Sequence, residues 1–356
     1  MEAPPKIPGS IELGPGVSEE QVRTAIEKSG YPLQSVIGAL LRSTGGKYHD
    51  SFFVQEEWCY QDEDSKDLRT IDLLAGLTVY DDEALRNETQ PRVRPELNIL
   101  VECKQSQLPY VFFDAGPGSH WRGDFPTIAG LPNDAITVYT DDDPSTWSEP
   151  LIAALGLRLH PFQSAPRFCH TLSKCVRKGA ELELSGSDAY NGLVLPLIKS
   201  LKHFVKTMAP PRTAWYFDCH LAVAVAVLDA PMLSAGISEG GMVLTAAPWV
   251  RILRHEYKEA EHRLDREIMC FIDVVHKDFF GTYLKEHLIP FAEKFGQSVL
   301  RHPTEIAIGT GFISGMEKDS WNNLEERLQP RPFVNAQRSS RIARNIVKAL
   351  LGRLWK

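Results

Sequence analysis

The chain is predicted to be an α/β protein, because strand-like apolar runs alternate along it with amphipathic helical segments. The clearest strand is the run 97–104, LNILVECK, which stays apolar until it reaches Glu102 and Lys104. The clearest helix is 188–208, where leucines recur every four residues and lysines occupy the other side. The length of 356 residues, with 43% hydrophobic and 24% charged residues, suits a globular protein of one large domain or two smaller ones.

The first half of the chain contains the predicted core elements in order. Segment 29–46 is an amphipathic helix that ends at a Gly-Gly pair. Four strands are then expected, at 51–60, 67–80, 96–104 and 108–116. Each is rich in β-branched, aromatic or leucine residues, and each is bounded by polar turn residues.

The second half is less regular. Residues 114–150 are interrupted by Gly and Pro and are predicted to form a loop-rich insertion. After the helix at 188–208, further strands are expected at 219–230, 249–257 and 267–276, and a long helix at 278–300.

No domain boundary is evident before about residue 330. We therefore expect a flexible lead-in over 1–17 and one α/β domain over 18–330. Residues 331–356 are predicted to form a basic amphipathic helix, whose apolar side carries Ile and Leu at four-residue spacing. Either this helix packs on the body of the protein by its apolar side, or its basic side contacts an acidic partner.

Three polar residues at the ends of apolar strands form the candidate catalytic site. Glu102 and Lys104 are two residues apart and should lie on the same face of their strand, while Asp72 is the acid within the preceding strand. Two carboxylates suit a hard cation such as Mg²⁺, which takes oxygen ligands. A nearby lysine can orient water or neutralise a phosphoryl group.

This pattern of an amphipathic helix, a strand Asp and a strand ending in Glu-X-Lys resembles the PD-(D/E)XK nuclease superfamily. The resemblance implies a restriction-endonuclease-like fold, with a mixed central sheet flanked by helices and a core order of helix, three strands, helix, strand. In this chain, additional strands and C-terminal helices would follow. The resemblance covers about residues 29–113 well and the remainder only by the order of elements.

The same resemblance implies a Mg- or Mn-dependent endodeoxyribonuclease that hydrolyses DNA phosphodiester bonds in defence or repair. Asp72 and Glu102 would hold the metal, with Cys103 between the Glu and the Lys counted among the metal-binding positions, and Lys104 would serve the attacking water. Many members of the superfamily carry a Glu on the first helix. The nearest match here is the neutral Gln34, assigned to the catalytic group, which leaves a second metal position open.

The charge distribution bears on the partner. A formal net charge of -7 counts against nucleic acid, but positive charge is concentrated in 158–212 and 331–356. Lys199, Lys202 and Lys206 share one side of the predicted helix at 188–208, and we interpret them as the nucleic-acid-binding side chains. DNA is the expected partner and RNA is not excluded. Alternatively, these lysines form an ordinary solvated helix face.

The remaining sequence features favour a cytoplasmic protein without a membrane partner. No apolar stretch reaches the length needed to cross a bilayer, and the N-terminus lacks the apolar segment of a signal peptide. The six cysteines include no Cys-X-X-Cys pair, and Cys169, His170 and Cys175 match no common zinc spacing. Disulfides are therefore not expected.

Two alternative functions compete with the nuclease. The first is an α/β-hydrolase, since Gly236-X-Ser238-X-Gly240 matches a nucleophile elbow and Asp273 and His276 could complete a triad. The second is a non-catalytic nucleic-acid- or protein-binding regulator on a degenerate nuclease fold, for which Gln34 would be the first sign. A homodimer or a partner protein is compatible with each of these functions.

Overall fold

The computed structural model describes residues 13–81, 91–115, 125–140, 146–257, 267–314 and 324–331. The described helices are α1 Glu19–Lys28, α2 Tyr31–Arg42, α3 Leu151–Ala154, α4 Pro161–Ser164, α5 Gly186–Ala189, α6 Leu195–Thr207, α7 Phe280–Thr282, α8 Ile289–Arg301, α9 Pro303–Ile308 and α10 Leu324–Arg327. The π-helical turns Tyr190–Val194 and Tyr283–Leu288 join α5 to α6 and α7 to α8, and a 3-10 turn, Lys277–Phe279, precedes α7.

The described strands are β1 Phe53–Gln61, β2 Leu68–Thr78, β3 Val93–Gln105, β4 Tyr110–Asp114, β5 Thr127–Ala129, β6 Ala135–Thr140, β7 Thr146–Pro150, β8 Phe168–Lys178, β9 Glu181–Ser185, β10 Phe217–Asp229, β11 Met232–Ser238, β12 Gly241–Ala246, β13 Trp249–Tyr257, β14 Glu267–His276 and β15 Thr310–Ile313. The predicted α/β class is confirmed, as are the strands expected in both halves of the chain and the two long helical segments.

The central sheet is mixed and has the strand order β1-β2-β3-β10-β14-β13-β8-β4-β11-β12, with β5 beside β10 and β9 beside β8. Strands β1, β2 and β3 form an antiparallel meander. Strand β10 then runs parallel to β3 over its full length, from the pair Val93–Phe217 to the pair Gln105–Asp229. Strand β14 continues the parallel arrangement on the other side of β10.

Helices cover both faces of the β1–β3 and β10 region. On one face, α2 and α8 pack on Leu73, Ile99 and Val101 within a large apolar cluster. On the other face, α6 packs on a second cluster. Three alanines of β10, at 222, 224 and 226, face α6 and allow the helix to approach closely, while His220 of the same strand packs on Phe204 of α6. Both faces of β3 and β10 are therefore removed from water.

The prediction of a loop-rich insertion at 114–150 is wrong in part. Strands β6 and β7 lie within it and form a second sheet of order β15-β6-β7, and β5 pairs with β10. Ile136 and Val138 on β6 join the same apolar cluster as Leu97 on β3, so the small sheet shares the main core. Strands β8, β9, β11 and β12 were not predicted either, since β9, β11 and β12 span only five to seven residues and β8 mixes polar and apolar residues without a regular alternation.

Part of the predicted organisation lies outside the described residues, namely 1–12 of the lead-in and 332–356 of the basic tail. Across the ranges that are described, no helix is long and apolar enough to cross a membrane. The sequence likewise contains no apolar stretch long enough to cross a bilayer.

Close packing of α8 on Val79, the residue that follows β2, makes Gly296 a sensitive position. A Cβ atom there would lie 2.3 Å from the carbonyl oxygen of Val79, so a side chain forces the helix away from the sheet. We expect Gly296→Ala to lower the free energy of unfolding by about 1–3 kcal/mol. Gly281→Ala is the matched control, because its Cβ would meet only Leu40 Cδ2 at 4.0 Å. Equal urea midpoints for the two variants would contradict this close approach.

Candidate active site

Asp72 and Glu102 lie level with each other on adjacent antiparallel strands. The β2–β3 register pairs Leu73 with Val101, so the next positions outward are Asp72 and Glu102. Glu102 has the same alternation phase as Leu100 and therefore faces the α6 side of the sheet. Lys104 shares that face and holds Glu102 in an ion pair, with 2.6 Å between Nζ and Oε1. The structure thus brings the three predicted residues together.

The Asp72 carboxylate bonds to the backbone of β3. Its Oδ2 accepts a hydrogen bond of 2.6 Å from the backbone N–H of Cys103. The neighbours Ile71 and Leu73 belong to opposite apolar clusters, so the usual alternation of β2 breaks at Asp72. This break allows the Asp72 side chain to reach sideways towards β3. The carboxylate is thereby fixed beside the Glu-X-Lys segment.

Cys103 contributes to this site through its backbone. Its thiol lies in the apolar cluster on the opposite face of the sheet from Glu102, and burial raises the pKa of the thiol. A thiol that stays protonated is a poor metal ligand. If Cys103 contacts a metal, as predicted, the contacting atom must be its carbonyl oxygen, which in a strand points to the same side as the N–H bonded to Asp72.

Burial sets the charge states of the site. Glu102 is only 6% exposed, and this desolvation raises the pKa of its carboxyl group to about 7, although Lys104 favours the charged form. Desolvation also raises the pKa of Asp72, against the hydrogen bond from Cys103. Burial alone would lower the pKa of Lys104, but Glu102 and Asp72 raise it, so the ammonium stays charged. The site therefore combines a permanent cation with a carboxylate that titrates near neutrality.

Gln34 also contacts this site, from helix α2 on the opposite face of the sheet from Glu102. It is buried on α2, and its Nε2 donates a hydrogen bond of 3.2 Å to the backbone carbonyl of Asp72. The amide thus contacts the main chain of Asp72, and this contact ties α2 to the strand that presents the acid. Its place in the structure is that of a positioning residue.

Glu57 is a third carboxylate that the sequence interpretation did not identify. The β1–β2 register pairs Glu56 with Leu73 and Trp58 with Ile71, which places Glu57 level with Asp72. Its φ of 50° is in the left-handed region, rare for a residue other than glycine. Its charge raises the pKa of both Asp72 and Glu102, as a smaller contribution than burial.

At Glu57, the unusual backbone conformation reverses the face of the sheet to which the side chains of β1 point. Glu56 forms an ion pair with Arg42 of α2, whereas Trp58 packs on Phe204 of α6 on the other face of the sheet. Such local reversals often re-aim side chains next to functional sites. In the sequence, this reversal is indicated by Glu56, because it is an acid whose neighbours of the same phase, such as Val54 and Trp58, are apolar.

The donor set fits a hard divalent cation. Asp72 and Glu102 offer carboxylate oxygens, and Mg²⁺ commonly binds one or two carboxylates while it retains water. Within the described residues, no group of three or more His, Cys, Asp or Glu side chains is arranged to hold a metal ion. The Lys104 ammonium meanwhile provides the positive charge beside Glu102.

The predicted nucleic-acid-binding lysines lie on α6, on the same face of the sheet as Glu102. Two of them contact the acidic turn that joins β1 to β2. Lys199 is 13% exposed and pairs with Asp62, at 3.1 Å, and with Asp64. Lys206 pairs with Glu63 at 2.5 Å. Lys202 contributes to the positive field at Asp64.

Asp62 anchors this turn. It is buried and pairs with Arg69 as well as with Lys199. Although burial opposes its charge, hydrogen bonds from the Asp64 backbone and from Lys199 lower its pKa. Lys199 is therefore part of the internal packing of the turn, which neither the prediction of nucleic-acid-binding lysines nor the alternative of a solvated helix face anticipated.

The hydrolase alternative is not supported by the geometry. Ser238 lies in the β11–β12 hairpin, where its Oγ donates to the carbonyl of Gly241, and no helix follows it. Asp273 is fully buried and forms a two-point ion pair with Arg251, at 2.7 and 3.0 Å. His276 accepts from the Asp278 N–H instead. These residues do not form a triad.

The cysteine-rich segment is a strand without metal-site geometry. Cys169 lies buried in β8, and burial raises the pKa of its thiol to about 12. The Nδ1 of His170 lies 3.3 Å from the carbonyl of Leu253 on β13. Cys169 and Cys175 are both free thiols.

Comparisons of the chain with protein-family models, with curated proteins and with solved structures find no match. The function therefore has to be argued from the geometry of the site itself.

The raised pKa of Glu102 predicts a specific pH dependence of stability. A group whose folded pKa lies above its ordinary value of 4.5 stabilises the fold below that value, and this contribution is lost as pH rises through about 7. Relative to Glu102→Gln, the wild type should lose on the order of 3 kcal/mol between pH 4.5 and 8. Urea unfolding at both pH values measures the difference. Glu20→Gln, on the exposed α1, controls for loss of one charge, and parallel curves for the wild type and Glu102→Gln would contradict the assignment.

Proposed function

We propose that the chain is a metal-dependent nuclease on a restriction-endonuclease-like fold, which hydrolyses DNA phosphodiester bonds. The observation that carries the proposal is the convergence of Asp72, Glu102 and Lys104 at the level where β2 and β3 diverge. In this proposal Asp72 and Glu102 hold Mg²⁺ or Mn²⁺, and Lys104 orients the attacking water. A role in defence or repair suits such an activity.

The order of elements supports the fold part of the proposal. Helix α2, strands β1 to β3, helix α6 and strand β10 follow each other in the order that the resemblance implies. Helices α2 and α6 lie on opposite faces of the sheet, and β10 is parallel to β3. Strands β4 to β9 then form an insertion between the third core strand, β3, and the second core helix, α6.

The chemistry of the residues supports the site part. A bound Mg²⁺ would supply charge stabilisation at the phosphoryl group and a more acidic water. Lys104 remains protonated, so it can donate hydrogen bonds to water or to a phosphate oxygen but cannot act as a general base near neutral pH. Asp72 is held rigidly by the Cys103 N–H, and Gln34 fixes the strand beneath it. Because these groups are held in place in advance, they can stabilise charge that develops during the reaction without having to rearrange.

A non-catalytic binding protein on the same fold is the second candidate. The ion pair between Lys104 and Glu102 favours it, because the ammonium already satisfies the carboxylate that would hold a metal. The neutral Gln34 at the helix position points the same way. Such a protein would bind nucleic acid or a protein partner without cleaving it, so a metal-dependent cleavage assay separates the two candidates.

Single substitutions in the site test the proposed nuclease. Asp72→Asn and Glu102→Gln should each reduce Mg²⁺- or Mn²⁺-dependent nicking of plasmid DNA at least about 100-fold, because a charged oxygen ligand is lost. Lys104→Ala should slow nicking to a similar extent while metal binding, measured by calorimetry, is kept. Gln34→Ala should have a smaller effect, since it acts through the Asp72 backbone.

Two controls keep this test decisive. Glu20→Gln, on the exposed helix α1, should cleave at the wild-type rate. Wild-type cleavage should rise with pH as Glu102 ionises, with a midpoint that moves below about 7 as the Mg²⁺ concentration is increased, because a bound cation favours the charged carboxylate. Glu57→Gln asks whether the third carboxylate contributes. Nicking by Lys104→Ala at the wild-type rate would remove the role of Lys104. Metal-dependent binding without nicking by the wild type would favour the non-catalytic candidate.

The substrate part of the proposal rests on α6. We expect weak, salt-sensitive binding with little sequence preference, and Lys202→Gln combined with Lys206→Gln should weaken it equally on unrelated duplexes. The slope of log affinity against log salt should fall by up to about one unit for each phosphate that the variant no longer neutralises. RNA duplexes tested in parallel decide between DNA and RNA.

Lys178→Gln is the matched control for Lys206, since Lys178 is also exposed and paired with a glutamate, at 3.0 Å from Glu183. Lys199 is left out of the binding test because its replacement uncovers the buried Asp62 and should lower stability by about 1 kcal/mol. Affinity and salt slope that stay unchanged in the double variant would show that α6 does not face the nucleic acid.

A further inference from the structure

Strand β12 forms one edge of the central sheet, at the opposite end of the strand order from β1. Strand β12 pairs with β11 on one side, and across the described residues no strand pairs with it on the other. All six residues, Gly241–Ala246, are exposed. This strand therefore presents an open row of backbone donors and acceptors to its surroundings.

The hairpin register determines which residues of β12 point their backbone N–H and C=O groups away from β11. The Ala247 N–H donates to the Met232 carbonyl at 3.1 Å, and antiparallel pairs alternate between hydrogen-bonded and non-hydrogen-bonded. It follows that Met242, Leu244 and Ala246 direct their N–H and C=O groups away from β11. These three residues form the available hydrogen-bonding edge.

The same edge is apolar on one face. Ile237 and Met242 are paired across the hairpin, as are Ala235 and Leu244, so all four side chains share a face. Ile237 is 93% exposed and Leu244 is 56% exposed. The stripe continues into a small buried cluster that contains Ala235. Apolar surface here thus runs from the interior out to the last strand.

The sequence of β12 itself lacks two of the usual features that protect an edge strand, charged residues and proline. Gly241–Ala246 reads GMVLTA, which contains no charged residue and no proline. Two identical strands with no ionisable side chain can approach each other without like-charge repulsion. Antiparallel pairing of identical strands is also isologous, so it closes as a dimer rather than growing into a filament.

We propose that two copies of the chain pair through β12 about a two-fold axis, with Leu244 opposite Leu244 of the second copy. This register places Met242 opposite Ala246 of the second copy and uses every outward-pointing backbone group of the three edge residues. It joins the two apolar stripes into one and makes the central sheets continuous. The edge contributes no residue to the Asp72 and Glu102 site, so this inference is independent of the proposed nuclease.

Oligomeric state in solution tests the interface. The wild type should sediment as a dimer at micromolar concentration, and Leu244→Lys should sediment as a monomer that keeps the circular dichroism spectrum of the wild type, with a melting temperature no lower than that of the wild type diluted to its monomer. Leu182→Lys is the matched control, because Leu182 is also 56% exposed but lies on β9. It should remain a dimer. A wild type that stays monomeric, or a Leu244→Lys variant that still dimerises, overturns the proposal.

Cysteine cross-linking tests the register, in a Cys59→Ser background because Cys59 is the exposed cysteine. Leu244→Cys should form an intermolecular disulfide on mild oxidation, since opposed hydrogen-bonded residues have Cα atoms about 5.5 Å apart. Met242→Cys should not, because its two copies would lie four residues out of register, roughly 13 Å apart. Cross-linking of Met242→Cys at an equal rate, or none by Leu244→Cys, overturns the proposed register.

Discussion

The parallel pairing of β3 with β10 is the constraint on which the rest of the structure depends. It extends over thirteen residue pairs, from Val93 to Gln105, and both strands are buried along most of that length. Parallel strands need a crossover connection and cover on both faces. Helix α6 provides the crossover and covers one face, while α2 and α8 cover the other. The strand that carries Glu102 is thus enclosed before its end is reached.

That enclosure explains the electrostatics of the site. A carboxylate at the end of a surface strand would titrate like any glutamate, but Glu102 is carried into the interior by the strand it belongs to. Lys104 compensates its charge only partly, since desolvation still raises the pKa of Glu102 to about 7. An uncharged glutamine at this position would avoid the cost of ionisation at high pH. Perturbed carboxyl groups of this kind are concentrated at functional sites, where stability is exchanged for chemistry.

The sequence predicted those parts of the site and fold that depend on local pattern. Glu102, Lys104 and Asp72 could be found because each interrupts or ends an apolar run. Glu57 was not identified, because its position results from a backbone reversal in β1 that the register with β2 defines and that the sequence marks only by the acid Glu56 among apolar residues of the same phase. Strand β12 was missed for a related reason. Its six residues are all exposed, so they carry no alternation between buried and solvent-facing side chains.

The acidic turn changes how the positive face of α6 has to be understood. Asp62 is held from several directions, by Arg69, by Lys199 and by backbone N–H groups, so the turn stays in place when any one of these bonds breaks. The pair between Glu63 and Lys206 is different, since both side chains are exposed and surface ion pairs contribute only about 0–1 kcal/mol. A phosphate group can replace Glu63 at Lys206 at little cost and without disturbing Asp62. Of the three lysines that look equivalent in the sequence, Lys199 therefore helps to hold the fold, whereas Lys206 lies in an exposed ion pair that a competing anion could displace.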